Sequence, residues 1–209
     1  MRSKVLIVSC MTFILALLFT ACSNNGGDYV DVNDPKADTK TLEKMVEVVG
    51  YVAKTVADTE KVQISGQPSG DIVWPVLYWA VNYSFSSQYQ KQDGAIVVPA
   101  ADVEKLYAAC FAEGKLPDLE NKKYIGCGDI QKQDKNFMFY VSDIGDISTL
   151  FDINRYKVLE NGDYVLDGIL KRGLPKEEKI TYTGQIVMRA NQDKDAMFPY
   201  SMVSVNLHS

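Results

Sequence analysis

The sequence predicts an α+β domain in which three N-terminal helices pack on a curled antiparallel sheet. Three observations carry this reading. Apolar residues between positions 42 and 111 recur at helical spacing, those from Phe137 onward alternate with period two, and Asn161-Gly162 marks a tight hairpin between two alternating runs. Helices first and hairpin-linked strands afterwards leave the helices to cover one face of the sheet. Residues 41–209 read as one domain, since the length suits a single core and no internal repeat divides it.

The first helix carries Leu42, Met45, Val46, Val49, Val52, Ala53 and Val56 on its apolar face, with Asp38 or Thr39 available as cap. Gly50 weakens it by about 1 kcal/mol relative to alanine. The turn-rich "SGQPSGD" at 65–71 ends that segment. The next run, "IVWPVLYWAVNYSFSSQY", makes a helix starting near Trp74, because Pro75 suits only a first turn. Its apolar residues surround the axis, which marks it as the central helix. "DGAIVVP" then gives a turn and a short extended piece. Pro99 opens the third helix, which ends before Gly114 with Val103, Leu106, Tyr107, Cys110 and Phe111 on one face.

Beyond "GKLPDLENKK" the strands are 137–141, 153–160, 164–171, 180–189 and 202–207. The cleanest alternation puts Ile180, Tyr182, Gly184, Ile186 and Met188 on one face. This order, three helices with a short strand before the third and then a long antiparallel sheet, resembles the cone-shaped NTF2-like family over residues 41–209. The resemblance implies a cavity inside a cone, but members of that family range from enzymes to binding modules. Its enzymes lean on an Asp and His pair inside the cone. The single histidine here is the penultimate residue, His208, at an end expected to fray, so no site residue is carried over.

The first 22 residues concern address. Arg2 and Lys4 precede an apolar run at 5–19, about 15 residues long and short for a membrane span of roughly 20. The run stops at "FTAC", Phe19 to Cys22, which resembles the lipobox of bacterial lipoproteins, with phenylalanine where leucine is commoner. The resemblance implies removal of residues 1–21 and acylation of Cys22, including a fatty acyl group such as palmitate. Each buried CH₂ contributes about 0.8 kcal/mol, so two or three chains anchor firmly. The implied location is the outer face of the plasma membrane or, in a double-membraned host, the outer membrane, because Ser23 stands where inner-membrane retention typically shows aspartate. Residues 22–40, with "SNNGGDYVDVNDPKADTK" after the cysteine, read as a flexible tether spanning on the order of 25 Å.

Loss of residues 1–21 takes Arg2 and Lys4 from the 22 basic residues and none of the 27 acidic ones, moving the net charge from −5 to −7. An acidic chain without a Lys/Arg cluster excludes nucleic acid as partner. Cys10 leaves with the signal peptide, and Cys110 and Cys127 remain as an even pair in an exported chain. A disulfide between them, across about 17 residues, would stabilise by roughly 3 kcal/mol. Two buried thiols are the alternative.

Candidate chemistry is sparse. One histidine leaves no triad, Cys-His pair or histidine zinc site, and no phosphate loop with a lysine occurs, so no cofactor, metal or catalytic residue is expected. Asn191, Asp193 and Asp195 mimic the first ligands of a calcium loop, but Ala196 and Met202 stand where glycine and glutamate belong, so this is an exposed hairpin turn. Asp143 with Asp146, and Asp129 with Asp134, read as turn carboxylates more than as acid–base pairs. What remains is aromatic. Trp74, Tyr78 and Tyr83 on the central helix, with Tyr182 on a strand, are candidate walls of a cavity, while Trp79 belongs to the core. The expectation is a non-catalytic binding or interaction module, its partner a small apolar ligand or an envelope protein. The alternatives are an enzyme using carboxylates and tyrosines inside an NTF2-like cavity, and a structural envelope protein.

Overall fold

The apolar periodicity of residues 42–56 builds two helices instead of one. Helix α1 (Thr39–Glu43) is capped by Asp38, whose carboxylate accepts the Thr41 N–H at 3.1 Å. That bond holds the Asp38 carboxyl below its usual range. The chain re-aims at Lys44 and Met45, and α2 (Val46–Thr59) follows with Val48, Val52 and Val56 fully buried. Helix α3 (Gly70–Ala80) begins a turn earlier than expected, so Pro75 sits inside it. Its ring costs the bond to the Asp71 carbonyl, but every residue from 72 to 80 is buried, and that apolar burial offsets the loss. A π-turn, Val81–Phe85, continues α3. Helix α4 (Ala100–Cys110) starts after Pro99 as expected but ends early, because Phe111 turns extended and bridges in parallel to Met202.

The computed structural model describes residues 27–142, 148–173 and 179–209. The five expected strands are β6 (Asn136–Tyr140), β7 (Ser148–Val158), β8 (Tyr164–Gly173), β9 (Lys179–Ala190) and β10 (Tyr200–His208). Four short ones accompany them: β2 (Gln63–Ser65), β3 (Gln90–Gln92), β4 (Ala95–Pro99) and β5 (Ile130–Gln133). With β1 (Val30–Asp31) they form two antiparallel sheets among the described residues, ordered β1-β7-β8-β9-β10-β2 and β3-β4-β6-β5. The architecture is α+β with curled antiparallel sheets, as expected, but the described residues hold four helices where three were predicted and two sheets where one was. Strand β6 leaves the large sheet because its apolar partners, Ile96 and Ile130 opposite Phe139, lie in the small one. Helix α3 lies at the centre, meeting α2 on one side and the small sheet on another, where Trp74 and Phe137 have ring centroids 5.2 Å apart.

Part of the expected tether is fixed to the sheet. Tyr29 lays its ring under the Arg155 and Lys157 cations, 4.5 and 5.0 Å away, and its hydroxyl accepts from Gln185 at 2.8 Å. Gly27 N donates to Val158 O, Val30 and Asp31 pair with Tyr156 and Arg155, and Val32 N donates to Asn154 O. Asp38 N donates to the Tyr156 hydroxyl at 2.8 Å. One aromatic side chain and an unpaired sheet edge outweigh a composition that otherwise favours disorder.

The large sheet curls over α2 because its backbones approach closely at two glycines. Gly168 and Gly184 are opposite each other in the β8–β9 register. A Cβ on Gly168 would collide with the Asp152 carbonyl, and one on Gly184 with that of Asn206. Register shifts in β7 after Ile153 and in β10 after Met202 flank the same region, and such bulges bend and twist a sheet.

The β7–β8 hairpin turns at Gly162, whose φ of 84° suits glycine. Beside it the Asp163 carboxylate, only 3% exposed, takes two bonds from Arg189 at 2.9 and 2.8 Å and one from Asn161 at 2.9 Å. The Arg189 bonds hold the Asp163 carboxyl below its usual range against the opposing effect of burial. A depressed folded pKa contributes stability that is complete above the unfolded value near about 3.9 and is lost as pH falls through the folded one. Asp163→Asn should therefore cost about 1–2 kcal/mol at neutral pH, a value reduced for the solvent reaching Arg189, and should lessen acid sensitivity below about pH 4. Urea melts between neutral pH and about pH 3 check it; a variant whose stability falls as steeply in acid as that of wild type would refute it.

Candidate functional site

Tyr78 leads from the core to the surface. It is buried on α3, and its hydroxyl donates to the Tyr140 carbonyl at 3.1 Å while accepting the Ser142 N–H at 3.2 Å. A Cβ on Gly128 would collide with that same carbonyl and stand 2.7 Å from the Tyr78 hydroxyl, so only glycine brings this backbone so close. Above these atoms lies an open groove of about 500 Å³. Lys123, Tyr124, Cys127 and Asp129 form one side and Gln131, Tyr140 and Ser142 the other. Val141, 59% exposed, stands at the groove as an apolar side chain open to solvent, and Ile125, 65% exposed, lies on the same loop beside Lys122 and Asp71.

The loop that carries the groove lacks regular structure but is stapled along its length. Gln67 both donates to and accepts from the Lys115 backbone at 2.8 Å, and Trp74 Nε1 reaches the Asp118 carbonyl at 3.4 Å. Glu120 N donates to the Tyr124 hydroxyl at 3.0 Å. Lys122 pairs with Asp71 at 2.8 Å and Glu120 at 2.9 Å. Bonds from Lys122 and Lys61 hold the Asp71 carboxyl below its usual range, and the bonds to Asp71 and Glu120 push the Lys122 ammonium up. Gly126, at φ 77°, presses its backbone against Asp58, which pairs with Arg172 at 2.7 Å. A surface held this way is pre-organised, which lowers the ordering cost of binding.

The structure disperses the four residues predicted to wall a cavity. Trp74 and Tyr78 are buried toward the small sheet, and Tyr182 packs on the core from β9, opposite Leu170. Tyr83 is 61% exposed, because the π-turn adds a residue to the turn and rotates it outward. It stacks on Trp79 and Tyr51, with centroids 5.5 and 6.5 Å apart. Trp79 is core, as expected, with the Lys54 ammonium 4.5 Å over its ring and its Nε1 buried without a hydrogen-bond partner. Of the four predicted residues, Tyr78 alone bonds to the backbone of the groove, at Tyr140 and Ser142. The tyrosines, lysine and serine that shape it gave no signal in the sequence. Gly126 and Gly128, which flank Cys127, are the exception, because two glycines in three residues suit a close backbone approach.

Cys110 and Cys127 are unbridged thiols in the structure. Burial pushes both up, Cys127 to about 12 with Asp129 and Asp58 adding to it, so neither is a nucleophile near neutral pH. Asp129 lines the groove, whereas Asp134 sits in a left-handed turn at the other end of β5, roughly 13 Å along the strand, too far to share a proton. Asp143 and Asp146 lie outside the described residues, as does Cys22. Asn191 pins the β9–β10 connection to α4 by donating to the Ala109 and Phe198 carbonyls. His208 is exposed but not frayed, pairing with Thr183 in the sheet. Among the described residues no cluster of three metal-ligating side chains occurs, and no helix is long and apolar enough to cross a membrane. Comparison with known proteins finds no family model, no curated sequence and no solved structure that matches this chain.

Proposed function

We propose that the chain is an exported lipoprotein anchored through Cys22 in the cell envelope, and that its domain is a non-catalytic binding module. The observation that carries the binding reading is the groove over Gly128, polar along its walls, with exposed Val141 in its lining, and stapled in place. It borders β5, an edge strand of the small sheet. A groove beside an open strand edge suits an extended segment of another envelope protein, which can pair its backbone with the edge and seat alternate side chains. The polar walls favour such a partner over the small apolar ligand expected from the sequence. The NTF2-like cone, with a site inside the curled sheet, is the second reading. It is favoured by the curl at Gly168 and Gly184, and weakened by the α2 side chains that fill the space beneath it.

The anchor and the groove are tested separately. Cys22→Ala should abolish acylation and leave the precursor uncut, read by mass spectrometry of the amino terminus. An unmodified cysteine in the wild type rejects the anchor. For the groove, Gln131→Trp fills the space from an exposed position, with an expected stability change within about 0.5 kcal/mol. Native mass spectrometry of protein purified from its own host should show a bound mass that the wild type retains and the variant loses. Bare masses for both reject the groove as a binding site.

A further inference from the structure

We propose that the domain stands on the bilayer by the β7–β8 hairpin end of its large sheet, with the groove directed away from the membrane. This rests on the reading that Cys22 is acylated. Among the described residues the strap first meets the sheet at Gly27, whose N–H donates to the Val158 carbonyl at 3.2 Å, and that contact limits the freedom of the anchored chain. From there β1 runs antiparallel to β7, so the chain arrives at the hairpin end and proceeds toward the other. Tyr29 locks this strap across three strands, through the Arg155 and Lys157 cations on β7 and the Gln185 amide on β9. Five residue steps separate Cys22 from Gly27 and reach at most about 18 Å, far less freedom than the tether that composition suggests.

The loop that carries the groove meets the opposite end of the large sheet. It presses Gly126 on Asp58, Asp58 pairs with Arg172, and Arg172 is the register partner of Thr149 on β7. Thr149 and Val158 are nine residues apart along one strand, or about 30 Å. The surface nearest the bilayer bears exposed Asp28, Asp31 and Glu160 beside Lys157, so it rests against headgroups and does not insert. A partner segment would then meet the groove from the side facing away from the membrane.

The test uses the full-length acylated protein in phosphatidylcholine vesicles that carry an energy-transfer acceptor on a small fraction of headgroups. A fluorescent amino acid replaces either Asn161, at the hairpin, or Ile125, on the loop that carries the groove, both exposed positions. Transfer should be at least about twofold stronger from position 161, given a difference of about 30 Å along the sheet. Equal or reversed transfer overturns the orientation. Tyr29→Ser, which releases the strap, should lower transfer from position 161 while flotation with vesicles is unchanged; if transfer stays as in wild type, the strap does not set the orientation and the proposal fails. Protein that does not float, or lacks acyl mass on Cys22, rejects the anchor and the orientation with it. Protein that floats with the wrong gradient rejects the orientation alone.

Discussion

Trp74→Ala should lower the stability of the domain by about 3–5 kcal/mol, the range for truncating a fully buried large aromatic side chain. Trp74 has no exposed surface, meets Phe137 on the small sheet, and touches Gly70 one turn back on α3. Its removal leaves a hole where the central helix meets the small sheet, and neither wall can close it. The helix is tied to the groove loop through Asp71 and to the end of β6 through Tyr78, and the small sheet is held by its own ladder. At roughly 2–4 °C per kcal/mol, the melting temperature should fall by about 10 °C. Tyr83→Ala is the contrast, because its ring is mostly in water and its stacking contributes about 1 kcal/mol or less. Denaturant melts of both variants check the pair. Equal losses would mean that the π-turn does not carry Tyr83 outward.

Gly184→Ala should cost about 2–4 kcal/mol, through a left-handed backbone conformation and a steric clash together. Its φ is 144°, a region other residues rarely enter, and a Cβ there collides with the Asn206 backbone. Gly168→Ala should cost a similar amount by collision with the Asp152 carbonyl alone. Because the two face each other across one pair of strands, the double variant should lose less than the sum, once the first substitution has already flattened the curl. A double-mutant cycle from urea midpoints tests this. Full additivity would mean that the two glycines do not shape one bend.

Much of the backbone plan was legible in the sequence. Period-two runs placed the five long strands, Asn161-Gly162 placed their first hairpin, and Pro99 placed the start of α4, since each is a local signal with a local cause. Short strands were missed where the sequence is polar, as in Gln90–Gln92 and Ile130–Gln133, because two to five residues carry too little periodicity to register. The start of α3 was misplaced because the rule for proline describes isolated helices. Burial of residues 72 to 80 outweighs it.

By itself the sequence determined the α+β class and the burial of the central helix, since composition and spacing act over a few residues, and the address proposed for Cys22 rests on the sequence alone. Only the tertiary structure decided which sheet receives β6, that Tyr29 straps the expected tether to β7, and that Gly128, Tyr78 and Ser142 meet beneath a groove. These depend on residues 50 to 150 positions apart being brought within a few ångströms. Such contacts are set by the packing of whole elements, and no stretch of sequence carries a signal of its eventual neighbours. The aromatic residues show the limit most plainly: a spacing of four puts Trp74 with Tyr78 on one helix face and Trp79 with Tyr83 on the next, yet the π-turn at Val81–Phe85 turns Tyr83 to solvent while the other three stay buried.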